Sequence, residues 1–235
     1  DGRLVLDMGI GQIKGGNASN GGGVSISPSG TCILNSGNLR RNRAYWGSAI
    51  YNEGTFIQNG GGISNNGYPN KSGSGTICNC GTMILNGGTI TENYGQYGSA
   101  IYTKHGSLSV FNQTTMQKNT ASYGGQDIWV DTGSIIDIGT GKILIEEVAL
   151  AKNTILNLNA PLHKQSSIGF NTWDTPTFSD WIHIATAPDS ITAEMDSDML
   201  YPINTDYKML VIDNSIYLRS NVQTIKFYVD GKVYR

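Results

Sequence analysis

Carboxylates, thiols and aromatic rings are the groups in this sequence whose placement would decide a chemistry. Glycoside hydrolysis needs two carboxyl groups about 5–9.5 Å apart, yet between residues 8 and 126 there are only Glu53 and Glu92. A calcium-dependent lyase would gather several Asp or Glu ligands beside an Arg or Lys base. Arg40, Arg41 and Arg43 are clustered, but no acidic residue lies near them in sequence. Acidic residues gather further on, at Asp174, Asp180, Asp189, Glu194, Asp196 and Asp198. The run at 189–198 lacks the Asp-x-Asp-x-Asp-Gly spacing of an EF-hand loop and reads as a solvated loop. Of the three cysteines, Cys32, Cys78 and Cys80, at least one must be unpaired, so a disulfide framework is not supported. With no Cys-x-x-Cys or His-x-x-x-His pair, no zinc site is expected, and His163 and His183 have no recognisable partner. No Gly-x-Ser-x-Gly elbow or phosphate loop occurs, and no cofactor or metal is expected.

The elements that must position these groups follow from composition and period. The 235 residues include 31 glycines, and only 14% are charged, with 38% hydrophobic. Charge-driven disorder is excluded by that balance, and collagen by the lack of a Gly-X-Y period. Residues 1–125 carry a net +4 and residues 126–235 a net −6. The overall −2 gives no reason to expect a nucleic-acid partner. No apolar run approaches the roughly 18 residues of a membrane helix, and no signal-peptide pattern is recognisable from Asp1 onward.

A three-phase repeat dominates. Asparagine returns at Asn17, Asn42, Asn66, Asn93 and Asn119, at intervals of 25, 24, 27 and 26 residues. All but the first follow an apolar residue three positions earlier, namely Leu39, Ile63, Ile90 and Met116. Glycine before Thr or Ser returns at Gly30, Gly54, Gly81, Gly106 and Gly133. Between these lies a small-residue cluster ending in an aliphatic: Gly22-Gly23-Val24, Gly47-Ser48-Ala49-Ile50, Gly98-Ser99-Ala100-Ile101 and a looser Gly75-Thr76-Ile77. Each repeat holds three short alternating segments, for example Ile77 to Asn79, Thr82 to Leu85 and Thr89 to Thr91. Three strands per coil of 24–27 residues predict an all-β, right-handed parallel β-helix. About eight coils are expected from residue 4 to 219, regular over 11–138 and less so over 139–219. Leu4, Leu6 and Met8 alternate in a first coil or cap. Thr224–Val229, Asp230-Gly231 and Lys232–Arg235 read as a hairpin with an Asp-Gly turn. That segment, 220–235, is expected as a cap or the start of a following module.

Alignment of the repeats sorts side chains into columns. The asparagines form an expected structural ladder, donating and accepting amide hydrogen bonds from coil to coil. Cys32 shares a column with Phe56, Met83 and Leu108 and reads as a buried small hydrophobe. Glu53 and Glu92 fall on different corners. Cys80 falls between Glu53 one coil before and His105 one coil after, an arrangement known in activated thiols, although corner residues are usually inert. Tyr51, Tyr102 and Trp129 follow the aligned aliphatics Ile50, Ile101 and Ile128, with Cys78 in the intervening coil. Alternation turns these rings outward. Tyr45, Trp46, Tyr68, Tyr94, Tyr97 and Tyr123 occupy the corner before the glycine cluster. Such rings form either a platform for sugars or a protein partner, or cladding that shields one face by self-stacking. Tyr51, Tyr102, Trp129 and Trp46 are the expected ligand-binding residues.

The Gly-Ser-Ala-Ile tetrads at 47–50 and 98–101 and the apolar-x-x-Asn tetrads resemble the Gly-Gly-Ala-Ile and Phe-x-x-Asn repeats of chlamydial polymorphic membrane proteins. The likeness covers roughly Gly11–Ile138 and departs in having Leu, Ile or Met in place of Phe. Ser166-Ser167-Ile168-Gly169 followed by Tyr207–Leu218 looks like the closing coils of surface β-helices from Gram-positive gut bacteria. The resemblance implies an extracellular, adhesin-like module of a bacterial cell surface, with further domains in the same chain. Three functions follow as expectations. The first is non-enzymatic recognition of a host or polysaccharide ligand along one face. The others are a carbohydrate-active lyase or hydrolase with its site in the acidic half, and a structural stalk.

Overall fold

The computed structural model describes residues 2–68, 73–174, 180–187 and 199–221, with the backbone of Phe227–Val229 and Lys232–Tyr234. Strand makes up 62%, and no helix occurs among the described residues. Stacked parallel coils form a β-solenoid of about seven turns.

The alternation of the sequence becomes three inward columns. Val24, Ile50, Ile77, Ile101, Ile128, Val148 and Phe170 stand above one another. So do Leu4, Cys32, Phe56, Met83, Leu108, Ile136, Leu156 and Ala185. The third column runs Ile13, Leu39, Ile63, Ile90, Met116, Ile145, Ile168 and Leu200. Beyond the first coil, these side chains are 2% exposed or less. Burying each aliphatic contributes about 1.5–3 kcal/mol, so the core is built one coil at a time.

Glycine in the Gly-Ser-Ala-Ile tetrad is required by backbone geometry. Gly47 and Gly98 hold left-handed φ of 60° and 52°, and a Cβ there would lie 1.9 and 2.0 Å from the carbonyl oxygens of Ile50 and Ile101. The Ala and Ile that follow are fully buried.

The corner after the third column is built differently. Arg41, Asn65, Glu92 and Lys118 are left-handed without being glycine, with φ of 54–57°. That conformation costs roughly 1–2 kcal/mol in an L-residue, and the asparagine that follows each of them offsets it. Asn66 Oδ1 accepts from the N–H and Nδ2 of Asn42, at 3.0 and 3.1 Å. Asn93 receives the same pair from Asn66, and Asn119 from Asn93. Each Nδ2 also reaches the carbonyl of the apolar residue one coil back: Asn66 to Leu39, Asn93 to Ile63, Asn119 to Ile90. The asparagine of each apolar-x-x-Asn tetrad is therefore tied to the tetrad of the coil before it. Asn17 stands outside it. It pairs with Arg43 and is exposed, while Gly16 holds the ladder position and donates to Asn42 Oδ1. A one-residue offset sends a side chain to the opposite face.

Two shorter ladders accompany this one. Asn52 Nδ2 donates to Asn79 Oδ1 inside the core at 2.8 Å. Asn86 and Asn59 donate in turn to Asn59 and Asn35 on an exposed edge.

The expected second and third segments of one repeat are a single strand, Thr82–Thr91, whose register shifts between Leu85 and Gly87. The stack is also shorter than eight coils, because its end reverses. Ile182–Thr186 pairs antiparallel with Ser215–Ser220, which pairs antiparallel with Tyr207–Ile212. The two-residue Asp213-Asn214 connection can only reverse the chain, since a parallel return needs a dozen residues or more. Phe227–Val229 pairs antiparallel with Lys232–Tyr234, and the Asp230-Gly231 between them lies outside the described residues. Among the described residues no helix is long and apolar enough to cross a membrane.

Candidate functional site

Among the described residues the carboxylates are dispersed among structural tasks. Glu53 accepts from the Tyr51 hydroxyl at 3.4 Å, and Glu92 from Asn65 at 3.1 Å on another corner. In the acidic half, Glu146 accepts from the Lys118 N–H, Glu147 from the Gln126 N–H, and Asp174 from the Asn153 N–H. Asp189, Glu194, Asp196 and Asp198 lie outside the described residues. Among the described residues no group of three or more His, Cys, Asp or Glu side chains is arranged to hold a metal ion.

Cys80 is not flanked by His105. Asn79 pairs with Thr103, so register sets Lys104 beside Cys80, while His105 is exposed on a left-handed corner. The Cys80 thiol is lowered to about 7, first by its hydrogen bond with Cys78 and then by the Tyr51 hydroxyl and the Lys104 ammonium, against the opposing effect of burial. The fourth coil has one more residue at this corner than the third, which displaces His105.

Tyr97, Tyr102, Trp129 and Trp173 converge on one groove, while Tyr45, Tyr68 and Tyr94 line another beside Arg43. Tyr51, Cys78, Tyr102 and Trp129 stand in successive register along one face. The next residue in this column is Ala149, and the Trp129 indole lies against Ala149 and Ala151. Tyr97 packs edge-on to Trp129 at 5.0 Å, and Trp173 does so at 5.1 Å. Tyr97, Tyr102, Trp129, Asp131 and Trp173 enclose an open groove of about 260 Å³. Trp129 is only 8% exposed and makes its wall, whereas Trp173 is 56% exposed. Tyr102 donates its hydroxyl to Asp131 Oδ2 at 2.8 Å, which fixes the carboxylate at the groove. Burial, and then that bond, holds the Tyr102 phenol well above its ordinary range.

Trp46 extends the surface by stacking on Tyr102 at 6.2 Å, with the Lys104 ammonium 5.3 Å from the Trp46 ring centre. Tyr45 meets Trp46 edge-on, and Tyr123 stacks on Tyr97. Tyr51 is not part of the groove lining. Trp173 and Asp131 join the groove in addition to the expected Tyr102 and Trp129. Trp173 lies two residues beyond Asn171, which continues the column of Trp129 and Ala149. A gap of small residues beside a tryptophan was the available signal.

Compared with protein-family models, curated proteins and solved structures, the chain matches none.

Proposed function

We propose that the chain is a non-enzymatic binding module of a bacterial surface protein that recognises a polysaccharide or host glycan through the groove between Tyr102 and Trp173. The observation behind this reading is the pairing of rings with one oriented carboxylate. Pyranose rings present apolar C–H faces that lie on aromatic side chains, and hydroxyls that a carboxylate accepts. A few placed polar groups on an apolar lining are the usual composition of a small-ligand site. Among the described residues Asp131 is the one carboxylate lining the groove, which suits holding a sugar better than the two-carboxylate chemistry of glycoside cleavage. The tetrads' likeness to chlamydial surface repeats supports placement at the cell surface.

The test is a glycan array on the purified chain, scored for binding and for cleavage. Binding that is weakened by Trp173→Ala supports the reading. Release of reducing sugar or unsaturated products from pectin, alginate, hyaluronan or mucin glycans would replace it with an enzyme.

A further inference from the structure

The stretch between the asparagine ladder and the first inward column carries the second groove. Eight residues separate Asn42 from Ile50 and Asn93 from Ile101, but eleven separate Asn66 from Ile77. The extra length interrupts a sheet. Arg43–Trp46 pairs with Asn17–Asn20, and Tyr94–Tyr97 with Thr120–Gly124, yet among the described residues no strand joins the two pairs. The coil between them is tied at each end of the stretch. There the Gly67 N–H donates to the Asn42 carbonyl at 3.0 Å, and the Gly47 N–H to the Ser74 carbonyl at 3.3 Å. Between those ties lies a cavity of about 470 Å³, a usual size for a small-ligand site.

Arg43 is an oriented cation in this cavity. Its guanidinium lies over the Tyr68 ring, 4.0 Å from the ring centre. That contact occupies the flat face of the cation and leaves the N–H donors, which lie in its plane, at the edge. No carboxylate is among the lining residues. Between residues 8 and 126 the acidic residues are Glu53 and Glu92, and each accepts a hydrogen bond elsewhere, from Tyr51 and from Asn65. Tyr45, Tyr68 and Tyr94 are all exposed, and Trp46 braces the Tyr45 ring edge-on at 5.3 Å. Asn17 stands in register with Arg43 outside the asparagine ladder and lines the same cavity with an amide that can donate and accept.

We propose that this groove binds carboxylated sugars, the uronic or sialic acid residues of a glycan, with Arg43 holding the carboxylate and the tyrosines the pyranose ring. The inference goes beyond the reading of the Trp173 groove, with which this one shares no lining residue. A guanidinium edge presents two parallel N–H donors that match the two oxygens of a planar carboxylate. The apolar C–H faces of the sugar lie on the rings, while its hydroxyls meet phenol oxygens and the Asn17 amide. A doubly charged phosphate is served less well, because no lysine lines the groove and no helix among the described residues turns its N-terminus there.

The experiment titrates the isotopically labelled full chain with trigalacturonate, triglucuronate and sialyllactose, and follows its NMR signals. Separate arms use the methyl ester of each acid, inorganic sulfate and inorganic phosphate. Binding of either kind of acid supports the site, and the uronate and sialate arms tell the two sources apart. The shifts are expected at Tyr45, Tyr68 and Tyr94, and the neutral methyl esters should bind about tenfold more weakly or worse, as loss of a charge-assisted pair does. Arg43→Gln, at an exposed position, should cost as much, and Arg43→Lys, which keeps the charge but loses the fork, several-fold. Tyr68→Ala should weaken binding, and Tyr68→Phe, which keeps the ring under Arg43, should restore most of it. No binding of any acid in the millimolar range, or equal binding of acid and ester, would overturn the proposal. So would displacement of the sugar by an equal concentration of sulfate or phosphate, the mark of an anion site without sugar selectivity. Shifts confined to Trp129 and Trp173 would overturn this site and leave the reading of the other groove intact.

Discussion

Asn119 Nδ2 donates to Asp127 Oδ1 across 2.6 Å, so the amide ladder ends on a carboxylate. Asp127 is fully buried, and its other oxygen accepts the Glu146 N–H, also at 2.6 Å. Burial pushes the carboxyl up from 3.8 to about 7; the bonds from Asn119 and the backbone oppose that rise, and the nearby Glu146 charge adds to it.

Stability should therefore carry an Asp127 component that falls as pH rises. Between about pH 4 and pH 7 the folded chain retains a proton that the unfolded chain releases, so protonation favours the fold at the low end of that window. The slope of this one group approaches at most about 1.4 kcal/mol per pH unit and flattens outside the window. Asp127→Asn loses the bond from Glu146 and is less stable at low pH, but should lack this component. Melting curves of both proteins across the window are the check. Parallel curves would mean that Asp127 does not hold the proton.

Asn66→Ala should be costly. It removes the acceptor for two donors of Asn42 and the donor to Leu39, all buried. Each stranded group costs about 1–3 kcal/mol, giving a loss of roughly 3–5 kcal/mol overall. Asn17→Ala should stay within about 0.5 kcal/mol, because Asn17 is exposed and outside the ladder. Urea unfolding of the pair measures the contrast, and equal losses would contradict the ladder's role.

Ile90→Asp should cost more than about 4 kcal/mol or prevent folding, since it places an unpaired charge at a position 1% exposed. Thr89→Asp, on the exposed neighbour, should be nearly silent. Wild-type-like melting of Ile90→Asp would put the inward register on the wrong residues.

Trp173→Ala should leave the melting temperature nearly unchanged and weaken glycan binding by about tenfold or more, as loss of a central aromatic contact does. Tyr51→Ala, outside the groove lining, should have a much smaller effect. Calorimetric titration with an array-identified glycan compares them. If the order is reversed, the binding surface lies nearer the Cys78 coil than the groove.

Much of the fold was legible because a solenoid repeats its environment. Equal spacing stacks equivalent residues, so Ile50, Ile77, Ile101 and Ile128 could be aligned from their intervals and the inward side read from alternation. The column of Tyr51, Cys78, Tyr102 and Trp129 followed from the same arithmetic. The groove itself was only half legible. Tyr102 and Trp129 were in view, but Asp131 and Trp173 join them through a hydrogen bond and a ring contact that no interval encodes.

Alternation and period, which are properties of the chain alone, determined the all-β class, the three-phase coil and the identity of the core. Tertiary structure decided wherever coils differ in length or the stack ends. One extra corner residue put Lys104 rather than His105 beside Cys80, and a one-residue offset gave Gly16 the place expected for Asn17. Asp213-Asn214 turned the last strands antiparallel, and the small Ala149 and Ala151 left room for the Trp129 indole. The physical reason is common to these cases. Side-chain direction in a strand is set every two residues by local backbone geometry, whereas the neighbour a side chain meets is set by how many residues each corner spends before the next strand begins.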